Sequence, residues 1–210
     1  MIYGDPMRRV PWWTLLSSGL APVALTAGWV VAGLMAGSSY DPATQTISVL
    51  AADGAPGAWV MTAALVVLGL CHLATAWGPR PAALPGRLTL GGGGAAAVVV
   101  ALFPAPSSEG SLQHGSPAAV GFVLLAVWPV LAHDPDGTAA WALRRGPCLA
   151  ATAVMGLGAL WFLFEMQRHG ALGVAERFVT FVQSVCPLLV VVSCLRHQRL
   201  RSPVASRSRV

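Results

Sequence analysis

Three acidic residues stand beside long apolar stretches, where an ionised side chain is costly unless it serves a purpose. Glu165 directly follows the apolar run 160–164, Glu176 precedes another apolar run, and Asp41 lies in a polar loop between two such runs. Ionisable groups at membrane depth tend to face the interior of a helix bundle or a charged partner. Because a carboxyl group can donate or accept a proton, we predict Asp41, Glu165 and Glu176 as candidate catalytic residues.

Other polar residues accompany these acids at helical spacing or in loops on the same side of the predicted bundle. Thr180 and Gln183 follow Glu176 at positions i+4 and i+7, which places the three side chains on one helix face. A pocket built from these residues would hold a small molecule at the mouth of the bundle, with the loop 38–50 as its lid. The predicted ligand-binding residues are Tyr40, Gln45, His114, Arg177 and Gln183.

A purely structural role for the two glutamates, at helix ends in the membrane interface, is the alternative. Arg168 follows Glu165 at position i+3, and Arg177 follows Glu176 directly, so each of these two glutamates has a neighbouring cation. Exposed ion pairs often contribute little beyond a modest stabilisation of a helix end. The sequence leaves both interpretations open.

Six apolar segments must position these residues. The chain is 55% hydrophobic and only 10% charged, with a mean hydropathy of +0.66, whereas soluble domains carry about 25% charged residues. Apolar runs of about 20 residues predict transmembrane helices. We therefore predict an all-α polytopic membrane protein with one six-helix transmembrane domain at 12–195, a cytoplasmic leader at 1–11 and a disordered Arg- and Ser-rich cytoplasmic tail at 196–210. The predicted helices are 12–36, 58–77, 88–103, 117–132, 147–166 and 174–195.

The arginines predict the orientation of these helices. The chain has no lysine, and eleven of its thirteen arginines fall in the terminal segments and alternate connections, while only Arg168 and Arg177 fall in the others. Positive residues are retained on the cytoplasmic side, so we predict that both termini are cytoplasmic and that the protein lies in a bacterial plasma membrane. Five of the eight acids then lie on the outer side: Asp41, Asp53, Glu109, Glu165 and Glu176.

Several other kinds of site are not predicted. The arginines form short clusters between apolar runs, as topology signals do, so no nucleic-acid partner is expected. The four cysteines lie in or beside apolar runs without a CxxC motif, so neither a disulfide nor a metal site is expected, and no cofactor is predicted. We predict that His72 is a hydrogen-bonded packing residue rather than a haem or metal ligand. The run Gly91–Gly94 lacks the Gly-Lys-Ser/Thr ending of a nucleotide loop, and we predict that it is a helix-packing face.

Short motifs along the chain are similar to those of a known family. They are Tyr40-Asp41-Pro42 with Gln45-Thr46-Ile47-Ser48, Trp59-Val60-Met61-Thr62-Ala63, Leu102-Phe103-Pro104, the position of His114, and Glu176-Arg177. With these motifs the sequence resembles the bacterial six-helix membrane family called domain of unknown function 998, which is similar in architecture to the Frag1/DRAM-like membrane proteins. The resemblance covers about 12–196 and implies the fold. It implies no activity, because one fold can host unrelated functions.

Three hypotheses follow for the function. The first is a protein that binds a lipid-like or isoprenoid molecule in an outward-facing polar pocket, since no catalytic motif is recognised. The second is an integral-membrane enzyme that applies acid catalysis to an isoprenoid or lipid, for example a terpene cyclase in which Trp161, Phe162 and Phe164 stabilise a carbocation. The third is a small transporter subunit. The lipid bilayer is a partner in all three hypotheses, and the oligomeric state stays open.

Overall fold

The computed structural model of the protein describes residues 10–103, 112–135, 140–168 and 170–201. The helices are α1 (Trp13–Ala36), α2 (Ile47–Leu50), α3 (Ala58–Trp77), α4 (Leu84–Leu102), α5 (Leu112–Leu131), α6 (Arg145–Arg168) and α7 (Leu172–Arg201). Short 3-10 turns lie at Gly37–Ser39 and Trp141–Leu143. Every regular element in the described residues is helical, which confirms the predicted all-α class.

Six of the helices, all except the four-residue α2, are long and apolar enough to cross a membrane, as predicted. Tryptophans stand exposed near their ends: Trp12, Trp77 and Trp141 at one end of the bundle and Trp59 at the other. Tryptophan is enriched at the two interfaces between a membrane and water. The protein is therefore built as a multi-pass membrane protein whose exposed apolar helix surfaces face lipid.

Three helix boundaries differ from those predicted by more than two residues. Helix α4 begins at Leu84 rather than at 88, because Pro85 occupies its first turn, where a missing N–H costs nothing. Helix α5 begins at Leu112 and contains Pro117 internally. Helix α7 runs to Arg201, so the first six residues of the predicted disordered tail are helical. The rest of that tail, the leader up to residue 9, and Glu109 and His169 lie outside the described residues.

The six long helices form a closed ring. In it α1 packs against α3, α3 against α4, α4 against α5, α5 against α6, α6 against α7, and α7 against α1. The connection 37–57, the ends of α4 and α6 and the starts of α5 and α7 share one end of this ring. That end carries Arg168 and Arg177, and we call it the Arg-poor end. The opposite, Arg-rich end carries Arg80, Arg144 and Arg145.

The tetraglycine run is a close-packing face, as predicted. A Cβ atom on Gly94 would lie 2.7 Å from the carbonyl oxygen of Gly69 on α3, and one on Gly93 would lie 2.6 Å from Leu125 on α5. Both distances are too short for a side chain. These two glycines thus let α4 approach α3 on one side and α5 on the other, as small residues do between membrane helices.

The hydrogen bond predicted for His72 is not found. The ring lies fully buried on α3, and neither Nδ1 nor Nε2 has a hydrogen-bond partner among the described residues. The sequence pattern identified the burial of this histidine between helices correctly, but the groups that surround it do not supply an acceptor or a donor. Among the residues that the structure describes, there is no group of three His, Cys, Asp or Glu residues able to hold a metal ion.

Candidate functional site

A cavity lies inside the ring of helices, between the Arg-poor end and the middle of the bundle. Its empty volume is about 550 Å³, including the part that is open to the surroundings. Small-molecule pockets are lined mainly by apolar groups with a few polar ones. The apolar lining comes from α2, α3, α4 and α5: Ile47, Leu65, Leu68, Gly93, Ala96, Ala97, Val100, Pro117, Ala118, Gly121, Phe122 and Leu125. The polar lining is Ser48, Glu176, Thr180 and Gln183.

Glu176 is the charged residue of the described lining, and it is almost completely buried, with 4% of its surface exposed. It lies in the second turn of α7, two residues further from the helix start than predicted. Its carboxylate accepts hydrogen bonds from the backbone N–H of Ile47 and, at 3.4 Å, from the hydroxyl of Ser48. Both donors belong to the short helix α2, so this helix supplies two hydrogen bonds to a carboxylate that lies in otherwise apolar surroundings.

Ser48 connects Glu176 to a histidine on another helix. Its Oγ lies 3.2 Å from Nε2 of His114 on α5, and Nδ1 of His114 lies 2.9 Å from the carbonyl oxygen of Phe103. A carbonyl oxygen only accepts hydrogen bonds, so we assign the proton of the neutral ring to Nδ1, which leaves Nε2 as an acceptor. Ser48 has a single hydroxyl hydrogen, which goes either to the carboxylate of Glu176 or to Nε2 of His114. When Glu176 is protonated, its O–H can donate to Ser48 while the Ser48 hydroxyl donates to Nε2, and the three side chains then form a hydrogen-bonded chain Glu176–Ser48–His114.

Arg177 binds the polar loop that covers this end of the bundle. Its Nη1 donates to the carbonyl oxygens of Pro42 at 2.8 Å and Gln45 at 3.2 Å, and also to Gly173 at 2.9 Å within its own helix. Its Nη2 donates to the hydroxyl of Tyr40. The guanidinium carbon also lies 5.6 Å from the centre of the Tyr40 ring and 5.9 Å from that of Trp29, within the range of a cation–π contact.

The loop from Tyr40 to Thr46 is further fixed by its own side chains. The Tyr40 hydroxyl donates to the carbonyl oxygen of Thr46 at 3.0 Å, and burial raises the pKa of this phenol although the neighbouring Arg177 acts to lower it. Asp41 is exposed and accepts from the N–H of Ala43 and, at 2.7 Å, from the hydroxyl of Thr44. These two hydrogen bonds hold the pKa of Asp41 below its ordinary value. Asp41 thus shapes the loop.

Glu165 does not join the cavity. It lies at the end of α6, where its carboxylate accepts from the N–H of Ala171 at 2.8 Å and from Nε1 of Trp161 at 3.3 Å. It therefore bridges the turn between α6 and α7. Arg168, its predicted ion-pair partner, lies over the ring of Phe164 with its guanidinium carbon 5.3 Å from the centroid.

A comparison with known families identifies the chain. A family model described as "Protein of unknown function (DUF998)" matches residues 20–193. The chain belongs to the DUF998 family. The matched range confirms the resemblance seen in the sequence, and it contains the cavity, the hydrogen-bonded chain and all contacts of Arg177. Comparisons with curated proteins and with solved structures find no match.

The structure of this DUF998 protein divides the predicted site residues into three groups. Glu176 and Gln183 line the cavity, with Nε2 of Gln183 donating to the carbonyl oxygen of Phe122 at 3.0 Å, and His114 reaches Glu176 through Ser48. A second group, Tyr40, Gln45 and Arg177, fixes the loop. Asp41 belongs with the second group, because its backbone and side chain form hydrogen bonds within the loop. Glu165 forms the third group by itself and bridges the turn between α6 and α7. Neither Asp41 nor Glu165 is in the described lining of the cavity.

Sequence reasoning missed the part that Ser48 plays. The residue was one hydroxyl among several in a polar loop, and no spacing distinguishes it. Its position depends on the single helical turn α2, whose two apolar residues Ile47 and Leu50 are buried. The available signal was the pair of apolar residues Ile47 and Leu50 at positions i and i+3, with Ser48 between them. A stretch of four residues is too short for such a period to identify a helix.

Proposed function

We propose that this protein binds a lipid-like molecule, with its apolar body in the cavity and its polar end beside Glu176. The observation that carries the proposal is a buried carboxylate at the wall of an otherwise apolar cavity inside a membrane bundle. An ionisable group in such a place is costly and typically marks a functional site. The lining, apolar except for a few polar groups, suits an amphiphile.

The experiment is to purify the full chain in mild detergent and to identify co-purified lipids by mass spectrometry. Ala118→Phe is the test variant, because Ala118 is a partly buried lining residue whose enlargement fills the cavity without touching Glu176. Ala153→Phe is the matched control, since Ala153 is an exposed residue of α6 outside the lining. A lipid retained by the wild type and by Ala153→Phe, and lost from Ala118→Phe, supports binding in the cavity. Equal retention by all three proteins would place the lipid elsewhere.

A second candidate function is acid catalysis on an isoprenoid or another lipid, with terpene cyclisation as one version. The hydrogen-bonded chain Glu176–Ser48–His114 favours it, because a protonated carboxyl group at the cavity wall can give its proton to a substrate carbon. The resulting carboxylate can regain a proton through the Ser48 hydroxyl when the imidazole is protonated at Nε2 as well as at Nδ1. Asp41 and Glu165, the other catalytic candidates, lie away from the cavity. Product analysis in cells supplied with isoprenoids tests this candidate: a product made by the wild type and lost in both Glu176→Gln and Ser48→Ala supports it, and no product from the wild type removes it.

We also propose that the Arg-poor end faces the outside of a bacterial cell. The segregation of Arg80, Arg144 and Arg145 at the opposite end of the ring supports this orientation by the positive-inside rule. A membrane-impermeant maleimide applied to whole cells tests it. A cysteine placed at the exposed Thr44 is expected to react, and one placed at the exposed Arg80 is expected to react only after lysis. The reverse pattern contradicts the orientation.

A further inference from the structure

The polar groups that line the cavity direct their hydrogens at the protein and leave acceptors for a ligand. The hydroxyl of Thr180 donates to the carbonyl oxygen of Glu176 at 2.8 Å, and one amide hydrogen of Gln183 goes to Phe122. The hydroxyl hydrogen of Ser48 points either to the carboxylate of Glu176 or to Nε2 of His114. The unused capacity therefore consists mainly of lone pairs: those of the two hydroxyls, the side-chain carbonyl oxygen of Gln183 and the carboxylate.

The charge at the cavity wall also favours a ligand that donates hydrogen bonds, and in particular a positively charged one. Glu176 is the charged residue of the described lining, and the guanidinium of Arg177, next to it in sequence, is held by the loop carbonyls of Pro42 and Gln45 and by Tyr40. Successive residues of a helix point about 100° apart, which is why this arginine faces the loop while the glutamate faces the cavity. An anionic head group would meet the carboxylate with a like charge, an arrangement that costs binding energy.

We propose, on the basis of the lipid-binding function above, that the polar end of the ligand is a primary ammonium group, so that the cavity prefers a long-chain amine to an alcohol or a phosphate with the same chain. An alkylammonium group has three N–H donors, no acceptor and one positive charge, as the lysine side chain has. This is the complement of a carboxylate that shares its cavity with the oxygens of two hydroxyls and one amide. An alcohol offers one donor without the charge, and a phosphate monoester offers acceptors and negative charge.

The test uses the full chain in phosphatidylcholine nanodiscs and four probes with one alkyl chain: decylamine, decanol, decyl phosphate and decyltrimethylammonium. Binding is followed by the shift of the thermal unfolding midpoint, read from tryptophan fluorescence against empty nanodiscs. Decylamine is expected to raise the midpoint most, decanol less, and decyl phosphate least. Decyltrimethylammonium, which has the charge without N–H donors, is expected to bind more weakly than decylamine.

Glu176→Gln keeps the shape and an acceptor oxygen but removes the charge. It is expected to weaken decylamine binding about tenfold or more, the factor that follows from losing a hydrogen bond to a charged group, and to leave decanol binding nearly unchanged. Glu165→Gln is the matched control, because that carboxylate is at the same end of the bundle but outside the cavity lining. Equal affinity of the wild type for decylamine and decyl phosphate, or an unchanged affinity of Glu176→Gln for decylamine, overturns the ammonium proposal.

A measurement on the wild type keeps the proposal testable if Glu176→Gln fails to fold. Dicyclohexylcarbodiimide, an apolar reagent, modifies carboxyl groups in apolar surroundings, and peptide mapping locates the modified residue. The mapping counts both products at Glu176: the N-acylurea, and the decylamide that a primary amine forms with the activated carboxyl group as dicyclohexylurea leaves. Decylamine is expected to lower the sum of the two products and decyl phosphate is not; an equal decrease with both probes overturns the proposal. The failure of the broader function gives a different result, in which none of the four probes binds and Ala118→Phe changes nothing.

Discussion

Replacing Arg177 tests whether its guanidinium holds the loop over the cavity. Arg177→Met keeps much of the aliphatic stem and removes every hydrogen bond to the loop carbonyls of Pro42 and Gln45. A hydrogen bond to a charged group contributes about 1.5–3 kcal/mol when it is well shielded. Arg177 is only partly buried, so we take about 1 kcal/mol for each of the two carbonyl bonds. The resulting loss of about 2 kcal/mol raises the open fraction of the loop about 30-fold.

Hydrogen exchange measured by mass spectrometry reads this opening directly. The N–H of Ile47 is bonded to Glu176, and that of Gln45 is bonded to the carbonyl oxygen of Asp41 at 2.9 Å, so both amides are protected only while the loop is closed. Both are expected to exchange about 30-fold faster in Arg177→Met, in proportion to the open fraction. The amides in the middle of α3 serve as the internal reference.

Arg168→Met is the matched control for the loss of a positive charge at the same end of the bundle. Its guanidinium lies over Phe164 rather than on the loop, so the exchange of the loop amides is expected to stay at the wild-type rate. Arg177→Lys keeps the charge but lacks the planar fork that reaches several acceptors at once, and an intermediate rate is expected. Wild-type exchange in Arg177→Met, or equal acceleration in Arg168→Met, would refute the assignment of Arg177 as the group that holds the loop.

Three further predictions follow from the contacts. Gly94→Val is expected to lower the thermal midpoint, because the added side chain overpacks the contact between α3 and α4 at a cost of about 1–3 kcal/mol. Gly91→Ala, whose Cβ would lie an ordinary 3.5 Å from Ala76, should leave the midpoint nearly unchanged, and equal midpoints for the two variants would contradict the packing role. Ser48→Ala is expected to lower the free energy of unfolding by about 1–2 kcal/mol, because it removes a hydroxyl placed between two buried polar groups. Ser39→Ala, at an exposed hydroxyl, should lower it by less than about 0.5 kcal/mol, and equal losses would contradict the role assigned to Ser48. The pKa of Asp41 is held below its ordinary value of 3.8, so the stabilisation of the loop by Asp41 is complete above that pH and is lost as the pH falls through the lower, folded-state pKa. Protection of the loop amides, corrected for intrinsic exchange, should therefore stay constant down to about pH 4 and decrease below it. This decrease should be absent in Asp41→Ala.

The helices were predictable where composition changes sharply at their ends. Helix α3 has the predicted bounds because Gly57 and Gly78 enclose an uninterrupted apolar run. The end of α7 was not predictable from the same signal, since Arg196–Arg201 is polar and resembles a disordered tail. What extends the helix is partly a long-range contact, in which the side-chain oxygen of Gln198 accepts from the N–H of Val10 at 3.2 Å. Such contacts between distant residues leave no trace in local composition.

The candidate site was predictable where helical periodicity decides which residues share a face. The spacing of Glu176, Thr180 and Gln183 correctly indicated one polar stripe, and all three line the cavity. Glu165 was assigned to the same pocket only because it lies at the same end of the bundle. The end of the bundle at which a residue lies sets its depth in the membrane but not the direction of its side chain. The carboxylate of Glu165 points to the N–H of Ala171 in the adjoining connection instead.

The neighbouring residues Glu176 and Arg177 couple the loop to the cavity. Arg177 fixes the loop before α2, and Glu176 accepts a hydrogen bond from the first residue of α2, so both ends of this short segment depend on adjacent residues of α7. A ligand that binds the lone pairs which the N–H of Ile47 and the hydroxyl of Ser48 leave free lies directly beside α2. Such a ligand binds the closed and the open loop with different affinities, so a variant that loosens the loop changes the affinity of the cavity by at most the ratio of those two affinities. Arg177→Met changes a side chain that is outside the described lining of the cavity, and it is thus the variant that shows whether the loop and the cavity are coupled.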